Sequence, residues 1–429
     1  MKYFRDEFDT LLDSINNEKD ELTDLRKKSF ENFIDNGLPT NKWEDWQFTN
    51  FSSIEKGDFR LSSLSDAVEL TGLLPGRIPN TYLIVSINGY YQPNLSDIPD
   101  EAEVASGADH FSSDFNYQSL KSVQSHQDRG LNPFYMLNTS MMNSGLSIHI
   151  KDNAKITKPI QIIYLTTSIT SEIMNHPRFV FQFGNNSEAT VVEHYIGSTS
   201  TPYFNNSVTK VELGANSFVN HIRIQEESEM SHHVANTFYD LNKDSNLNVN
   251  SVSLGSSLFR HNIKLKFCGD SSSADYSALS LINDQQHHDQ HIIVEHMSDA
   301  CQSNQLFKYI LSDQSSGVFN GKVVVEEHTK RTDASQSNKN LVLSPSALMN
   351  ANPQLEIYAE DVKCSHGSTT GQIDPEALFY LKSRGLGHEK SMELIMNGFI
   401  SDILELIKNE DIGEYLNKIA SQQLEKILK

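Results

Sequence analysis

The chain has 429 residues, with 35 Lys and Arg against 56 Asp and Glu, for a formal net charge of -21. Such an acidic surface repels nucleic acid over most of its area and excludes it as a ligand. Three cysteines, Cys268, Cys301 and Cys364, with no CxxC pair, argue against a disulfide framework and cannot fill a four-thiolate zinc or iron–sulfur site, and the lack of any apolar leader or long apolar run makes the expectation a cytoplasmic protein that neither is secreted nor spans a membrane.

The first third opens with helical signals. From Tyr3 to Ile34 apolar residues recur at helical spacing: Phe4, Phe8, Leu11, Leu12 and Ile15, then Leu22, Leu25, Phe30, Phe33 and Ile34. NGLP at 36–39 stops the second helix with glycine and turns the chain with proline. Trp43 and Trp46 follow, expected as an aromatic anchor that pins the helices to the main body. Residues 52–80 are mixed and polar, and TYLIVSINGYYQPNL at 81–95 reads as a strand, a turn at Asn88-Gly89 and a second strand.

From about 145 to 366 short alternating runs dominate. NIKLKF sets Ile263, Leu265 and Phe267 on one face and Asn262, Lys264 and Lys266 on the other. Val211 with Leu213, Ile222 with Ile224, and Leu355 with Ile357 and Ala359 repeat this period of two, which marks half-buried strands. Polar turn clusters separate the runs, at first by roughly thirty residues and later by fewer. Turns spaced in this way, with no helices between them, favour stacked coils that bury their inward faces on one another. A sandwich would turn every ~8–12 residues. The expected core is a parallel β-helix.

After GSTTGQID the texture becomes helical. Asp374 is placed to cap a helix with Pro375 at its first position, running through EALFYLKSR to Gly385. A second helix begins near His388 and sets Met392, Ile395, Met396, Phe399, Ile403 and Ile407 on one stripe; a third spans Ile412 to Leu428. The stripe either packs on the chain's own β-body or is offered to a partner. The expected divisions are a helical region at 1–80, a linking region with strands at 81–144, the β-helix at 145–372 and a helical domain at 373–429.

Two constellations carry chemistry. In DVKCSHGSTTG, Cys364 and His366 stand two apart, so an extended strand puts both on one face. A neighbouring imidazole that accepts the thiol proton favours the thiolate, which binds soft metals or attacks sulfur. The alternative is a buried structural cysteine beside a hydrogen-bonded histidine. In DQQHHDQHIIVEH, the density of His287, His288, His291, Glu295 and His296 invites a metal. A strand divides them, however, with His291 and Glu295 on one face and His288 and His296 on the other. A solvent-facing histidine ladder is therefore preferred, and a cytosolic metal-dependent β-helix enzyme is the competing reading. A carbohydrate-active β-helix would need a signal peptide, which is absent. Cys268 and Cys301 sit at turn clusters as small, unreactive residues. SGVFNGKVV is one residue short of a P-loop and has Val323 where a magnesium-binding hydroxyl belongs; RGLGHEK lacks the third glycine of a dinucleotide fingerprint. No nucleotide site is expected.

The blocks GLPTNKWEDWQFT, FNGKVVV, QSNKNLVLS and NPQLEIYAEDVKCSHGSTTGQIDPEALFYLKSRGL, followed by MNGFISDIL, resemble the SufB/SufD family of non-ATPase scaffold subunits in the SUF iron–sulfur cluster assembly machinery. The likeness covers nearly the whole chain, and the absence of SufB's ligand-like cysteines favours the SufD branch. It implies a right-handed parallel β-helix core with an N-terminal helical region and a C-terminal helical domain. It implies pairing with SufB through the β-helices, or a homodimer when isolated, and one SufC ATPase bound through the C-terminal helices. Phe379, Leu381, Arg384, Met392, Ile395, Met396 and Phe399 are then candidates for SufC contact. The family's KCSHG motif maps to Cys364 and His366, which would contribute to an interface site for a transient cluster, His366 as a metal ligand shared with SufB. No cofactor is expected to stay on the chain alone, and a flavin would belong to the complex.

Overall fold

The computed structural model describes residues 1–15, 20–63, 74–106, 132–142, 144–168, 172–197 and 201–429. Part of the linking region expected at 81–144, residues 107–131, lies outside the described residues.

Helix α1 (Lys2–Ser14) and α2 (Asp20–Asn36) pair through a seam of aromatic rings, with Phe8 stacked on Phe30 at 3.9 Å and Phe4 edge-on to Phe33 at 5.3 Å. Gly37, at φ 70, ends α2 and donates its N–H to Phe33 at 2.8 Å. That left-handed conformation is the reason a glycine stands there. The chain then makes a short turn at Glu44–Trp46, followed by α3 (Ser52–Lys56), and returns as the wholly buried α4 (Pro133–Met141). Trp46, Phe51, Ile54, Phe59 and Phe134 pack with Phe204, Val234 and Leu258 of the main body. Of the tryptophan anchor read from the sequence, Trp43 packs half-buried against this cluster and Trp46 is buried in it, with its ring 4.1 Å from the Arg260 guanidinium.

The main body is a β-solenoid of about seven turns. Each turn contributes one strand to each of two parallel sheets. The first sheet ends in Leu258–Phe267, His287–His296, Ser316–Val325 and Leu348–Ile357; the second ends in Ser273–Ile282, Gln302–Leu311, Thr332–Val342 and Val362–Gly371. Alternate residues point inward, as the period of two requires. Val219, Leu247, Ala274 and Ala334 of the second sheet face Leu213, Leu241, Phe267 and Val325 of the first. Equivalent positions lie about thirty residues apart: Asn216 Nδ2 donates to Asn186 Oδ1 across 30 residues and Asn304 Nδ2 to Asp275 Oδ1 across 29. One corner stacks residues with positive φ, namely Asn186, Asn216, Asp244, Ser271, Ala300 and Arg331. Each donates its N–H to a carbonyl of the next coil, for example Asn216 to Lys243 at 2.9 Å and Ala300 to Lys330 at 2.8 Å. At the amino-terminal end both ladders finish in short antiparallel strands, Tyr90–Tyr91 and Ala102–Ser106.

The chain ends in α5 (Pro375–Ser383), α6 (His388–Leu404) and α7 (Glu410–Ile427). Asp374 caps α5, accepting from the Glu376 N–H at 2.9 Å. The outer face of the second sheet carries Ile222, Ile224, Val252, Leu279, Leu281 and Ile310, and α6 and α7 cover it with Met396, Ile400, Ile403, Leu416, Ile419 and Leu424. Lys308 reaches the Phe399 carbonyl at 2.6 Å and pairs with Asp402, and Gln423 donates to Asn283 at 2.9 Å. Most of the apolar stripe on α6 is therefore spent on the chain's own body. Helix α5 buries no residue, and Phe379 is 74% exposed.

Candidate functional site at the open end of the solenoid

Each sheet finishes in a strand with one neighbour. Among the described residues, Leu348–Ile357 pairs only with Ser316–Val325, and Val362–Gly371 only with Thr332–Val342. The free edges present unpaired backbone N–H and C=O groups, which ordinarily invite a further strand. Leu348, Ile357 and Tyr358 are exposed at the same end.

Cys364 and His366 both stand on Val362–Gly371, opposite Ala334 and Gln336. Cys364 packs half-buried against the last layer of the solenoid interior, so its face points inward. His366 shares that face by alternation and is exposed because no coil covers it. The remaining inward positions, Ser368 and Thr370, are held from below: Ser368 donates to Asn338 Oδ1 at 2.9 Å, and Asn340 Nδ2 donates to Thr370 at 3.0 Å. The mouth of the solenoid is therefore a polar floor of Gln336, Asn338 and Asn340 under a thiol and an imidazole. Burial, then the charge of Asp333, push the Cys364 thiol up from its ordinary value, against a backbone hydrogen bond at Ala334. A thiol shifted in this direction resists ionisation, so burial and Asp333 oppose the thiolate that a neighbouring imidazole would favour.

The histidine-rich strand His287–His296 behaves otherwise. Its two faces are those expected from the alternation, but the outward one is not a solvent-facing ladder. The amino-terminal segment covers it: Thr49 bonds His287 at 2.8 Å and pairs with Asp289. Asp289 also pairs with Arg260 and lies 3.1 Å from His291. Burial opposes ionisation of Asp289, yet Arg260 and then His291 hold its carboxyl well below the usual range. On the inward face His288 bonds the Gly255 carbonyl at 2.8 Å and His296 bonds Ser303 at 2.9 Å. Among the described residues no group of three or more His, Cys, Asp or Glu side chains is placed to hold a metal ion. The ligand-rich spacing in the sequence reflects two separate hydrogen-bonding jobs on opposite faces. Cys301 is fully buried in the interior and Cys268 is exposed at a corner, and both, like Cys364, are free thiols.

A family model described as SUF system FeS cluster assembly, SufBD core domain, matches residues 165–399, and one described as SufBD protein N-terminal region matches residues 1–162. The chain belongs to the SufBD family of iron–sulfur cluster assembly proteins. It is 30% identical to the iron–sulfur cluster assembly protein SufD of Escherichia coli, over 93% of this chain and 92% of that one. It is 34% identical to an iron–sulfur cluster assembly SufBD family protein of Synechocystis, over 86% of this chain and 84% of the relative. SufD of Bacillus subtilis is 24% identical over 94% of each chain.

For this SufBD-family chain the structure separates the residues named from the sequence into three places. Cys364 and His366 share the open end. Phe379, Leu381 and Arg384 lie on or just after the unburied α5, with Arg384 5.1 Å from the Tyr380 ring, and Met392 and Ile395 are half-buried on α6. Met396, with no exposed surface, and Phe399, whose ring covers Lys308, belong to the seam between α6 and the body. The sequence reading assigned nothing to Gln336, Asn338 and Asn340. Their signal was an alternation of amides one coil before the Cys364–His366 pair, where apolar residues would otherwise fill the interior.

Proposed function

We propose that the chain is a non-ATPase scaffold subunit whose open solenoid end pairs with a SufB-type subunit and shares with it a site where a nascent iron–sulfur cluster is built. The observation that carries this reading is the placement of His366 and Cys364 on the inward face of a terminal strand with one free edge. A cluster needs about four ligands, and this end offers at most two, so the remainder would come from the partner's facing strand. His366 supplies an imidazole nitrogen as ligand or proton acceptor. Cys364, whose thiol resists ionisation in the free chain, would become a thiolate when iron or a basic group of the partner faces it. The cluster is cargo assembled from iron, sulfur and electrons delivered to the complex, and a flavin, where one supplies electrons, belongs to the complex as well. Two copies of this chain meeting by the same edge account for a homodimer when the partner is absent.

The SufC ATPase would dock on α5 and the adjoining half-buried face of α6, through Phe379, Leu381, Arg384, Met392 and Ile395. A helix with no buried residue and a 74%-exposed phenylalanine supports this placement. Met396 and Phe399 act indirectly, by seating α6.

Co-expression with SufB and SufC tests the reading. His366→Ala should leave the complex intact on affinity purification and reduce the iron and sulfide it carries, while Phe379→Ala combined with Arg384→Ala should remove SufC and keep SufB. Undiminished cluster content in the His366→Ala complex, or ATP binding by the chain alone, contradicts the proposal.

A further inference from the structure

Directly below His366 in the parallel ladder lies Gln336, on the same inward face. Gln336 is 3% exposed. Its Nε2 donates to Gln305 Oε1, one coil further in, at 3.0 Å. Its Oε1 has no hydrogen-bond partner among the described residues. Buried carbonyl oxygens rarely stay unpaired, so this atom needs a donor. The amide has little freedom to look elsewhere. On the facing sheet stands Gly321, where a Cβ would lie 2.2 Å from Gln336 Nε2. The side chain occupies the space that this glycine leaves.

The neighbouring columns show what fills such a position. One coil step is bridged by side-chain hydrogen bonds at Asn338–Ser368, 2.9 Å, at Asn340–Thr370, 3.0 Å, and at Gln305–Gln336, 3.0 Å. Among the inward polar residues of Thr332–Val342 that face a polar residue of the last strand, Gln336 alone lacks this bond, and the residue above it is His366. Neutral imidazole has one N–H donor and one lone-pair nitrogen.

We propose that Gln336 is a positioning residue for His366: its Oε1 accepts the N–H of the inward imidazole nitrogen, which fixes the tautomer and leaves the other nitrogen, with its lone pair, facing out of the open end. This rests on the reading of His366 as the interface ligand. It gives His366 the outer-shell partner that ligating histidines usually have. It also assigns Gly321 a task, since a side chain there would push the amide off its column.

Nitrogen NMR of the full chain labelled with [15N]histidine, with His366 assigned by its loss in His366→Gln, tests this. In the wild type one His366 tautomer should exceed the other by roughly fivefold to tenfold, the ratio a single hydrogen bond supports. Gln336→Met, similar in volume but without an acceptor, should bring the two towards equal population. Gln336→Glu keeps an acceptor, so it should retain the wild-type tautomer. If Gln336→Met does not fold, Gln336→Asn, whose shorter amide withdraws the acceptor from the imidazole, should bring the two tautomers towards equal population instead. Tautomer populations unchanged by Gln336→Met or Gln336→Asn overturn the proposal. The cellular assay is separate: an altered tautomer in Gln336→Met together with normal cluster content in His366→Ala upholds the positioning and overturns the ligand reading.

Discussion

Arg260 shows how one side chain ties distant parts of the fold together. It is buried on the outer face of the first sheet, pairs with Asp289, donates to Asn262 at 2.8 Å and to the Asp45 carbonyl at 2.9 Å, and lies over Trp46. Arg260→Ala strands a buried carboxylate and uncovers the tryptophan. The expected cost is about 3–5 kcal/mol, read from urea unfolding, with a change in tryptophan emission as the amino-terminal segment loosens. The anchoring role of the tryptophan was legible in the sequence. Its partner was not, because a cation in an alternating run reads as a solvated face until another segment is laid across it. The same holds for His287 and His291, whose solvent exposure was an error of omission: nothing local announces a cover contributed from 240 residues away. Cys364 and His366 were legible as neighbours by their spacing alone. That their strand is the last one, with an open edge, depends on where stacking stops.

Among the elements, the corner of positive φ is where local chemistry and fold agree least evenly. Asn186, Asn216 and Asp244 tolerate the left-handed region, whereas Ala300 and Arg331 carry its cost, roughly 1 kcal/mol each. Replacing Ala300 by Asn continues the column and should stabilise the chain by about 0.5–1 kcal/mol, seen as a higher urea midpoint at unchanged slope. Replacement by Gly should gain less, since glycine adds freedom to the unfolded chain. The solenoid itself was legible because alternation and turn chemistry recur coil after coil. Helices α5, α6 and α7 were legible from caps and apolar spacing, as with Asp374 before Pro375. Which face of α6 meets the body was not, because Met396 and Ile403 look the same in sequence whether a sheet or a partner covers them.

At the scale of the whole molecule, buried titratable groups set a pH dependence. Burial pushes His288 down to about 3 and His296 and His232 down to about 4. The unfolded chain takes up these protons near pH 6.5 and the folded chain does not. Stability is therefore complete above about pH 6.5 and falls as pH drops towards the folded values, by on the order of 1–2 kcal/mol per histidine at pH 5. Glu193 acts at lower pH: burial opposes its ionisation, but the His221 hydrogen bond and the Arg223 charge bring it to about 2, so its contribution is present above about pH 4.3 and is lost as pH falls towards 2. Urea midpoints should decline between pH 7.5 and 5, and His296→Gln, which keeps a hydrogen-bonding group without titrating, should flatten that decline. A curve unchanged by the substitution excludes His296 as a contributor. The two ends of the solenoid also differ in kind. One finishes in short strands of reversed polarity and the other, among the described residues, in parallel strands with no further strand beyond them. In the pairing proposed above, a body joined through that parallel end would have a valence of one. Two such ends meeting would give pairs and no filament, and whatever lies at the junction would stand at the centre of the assembly.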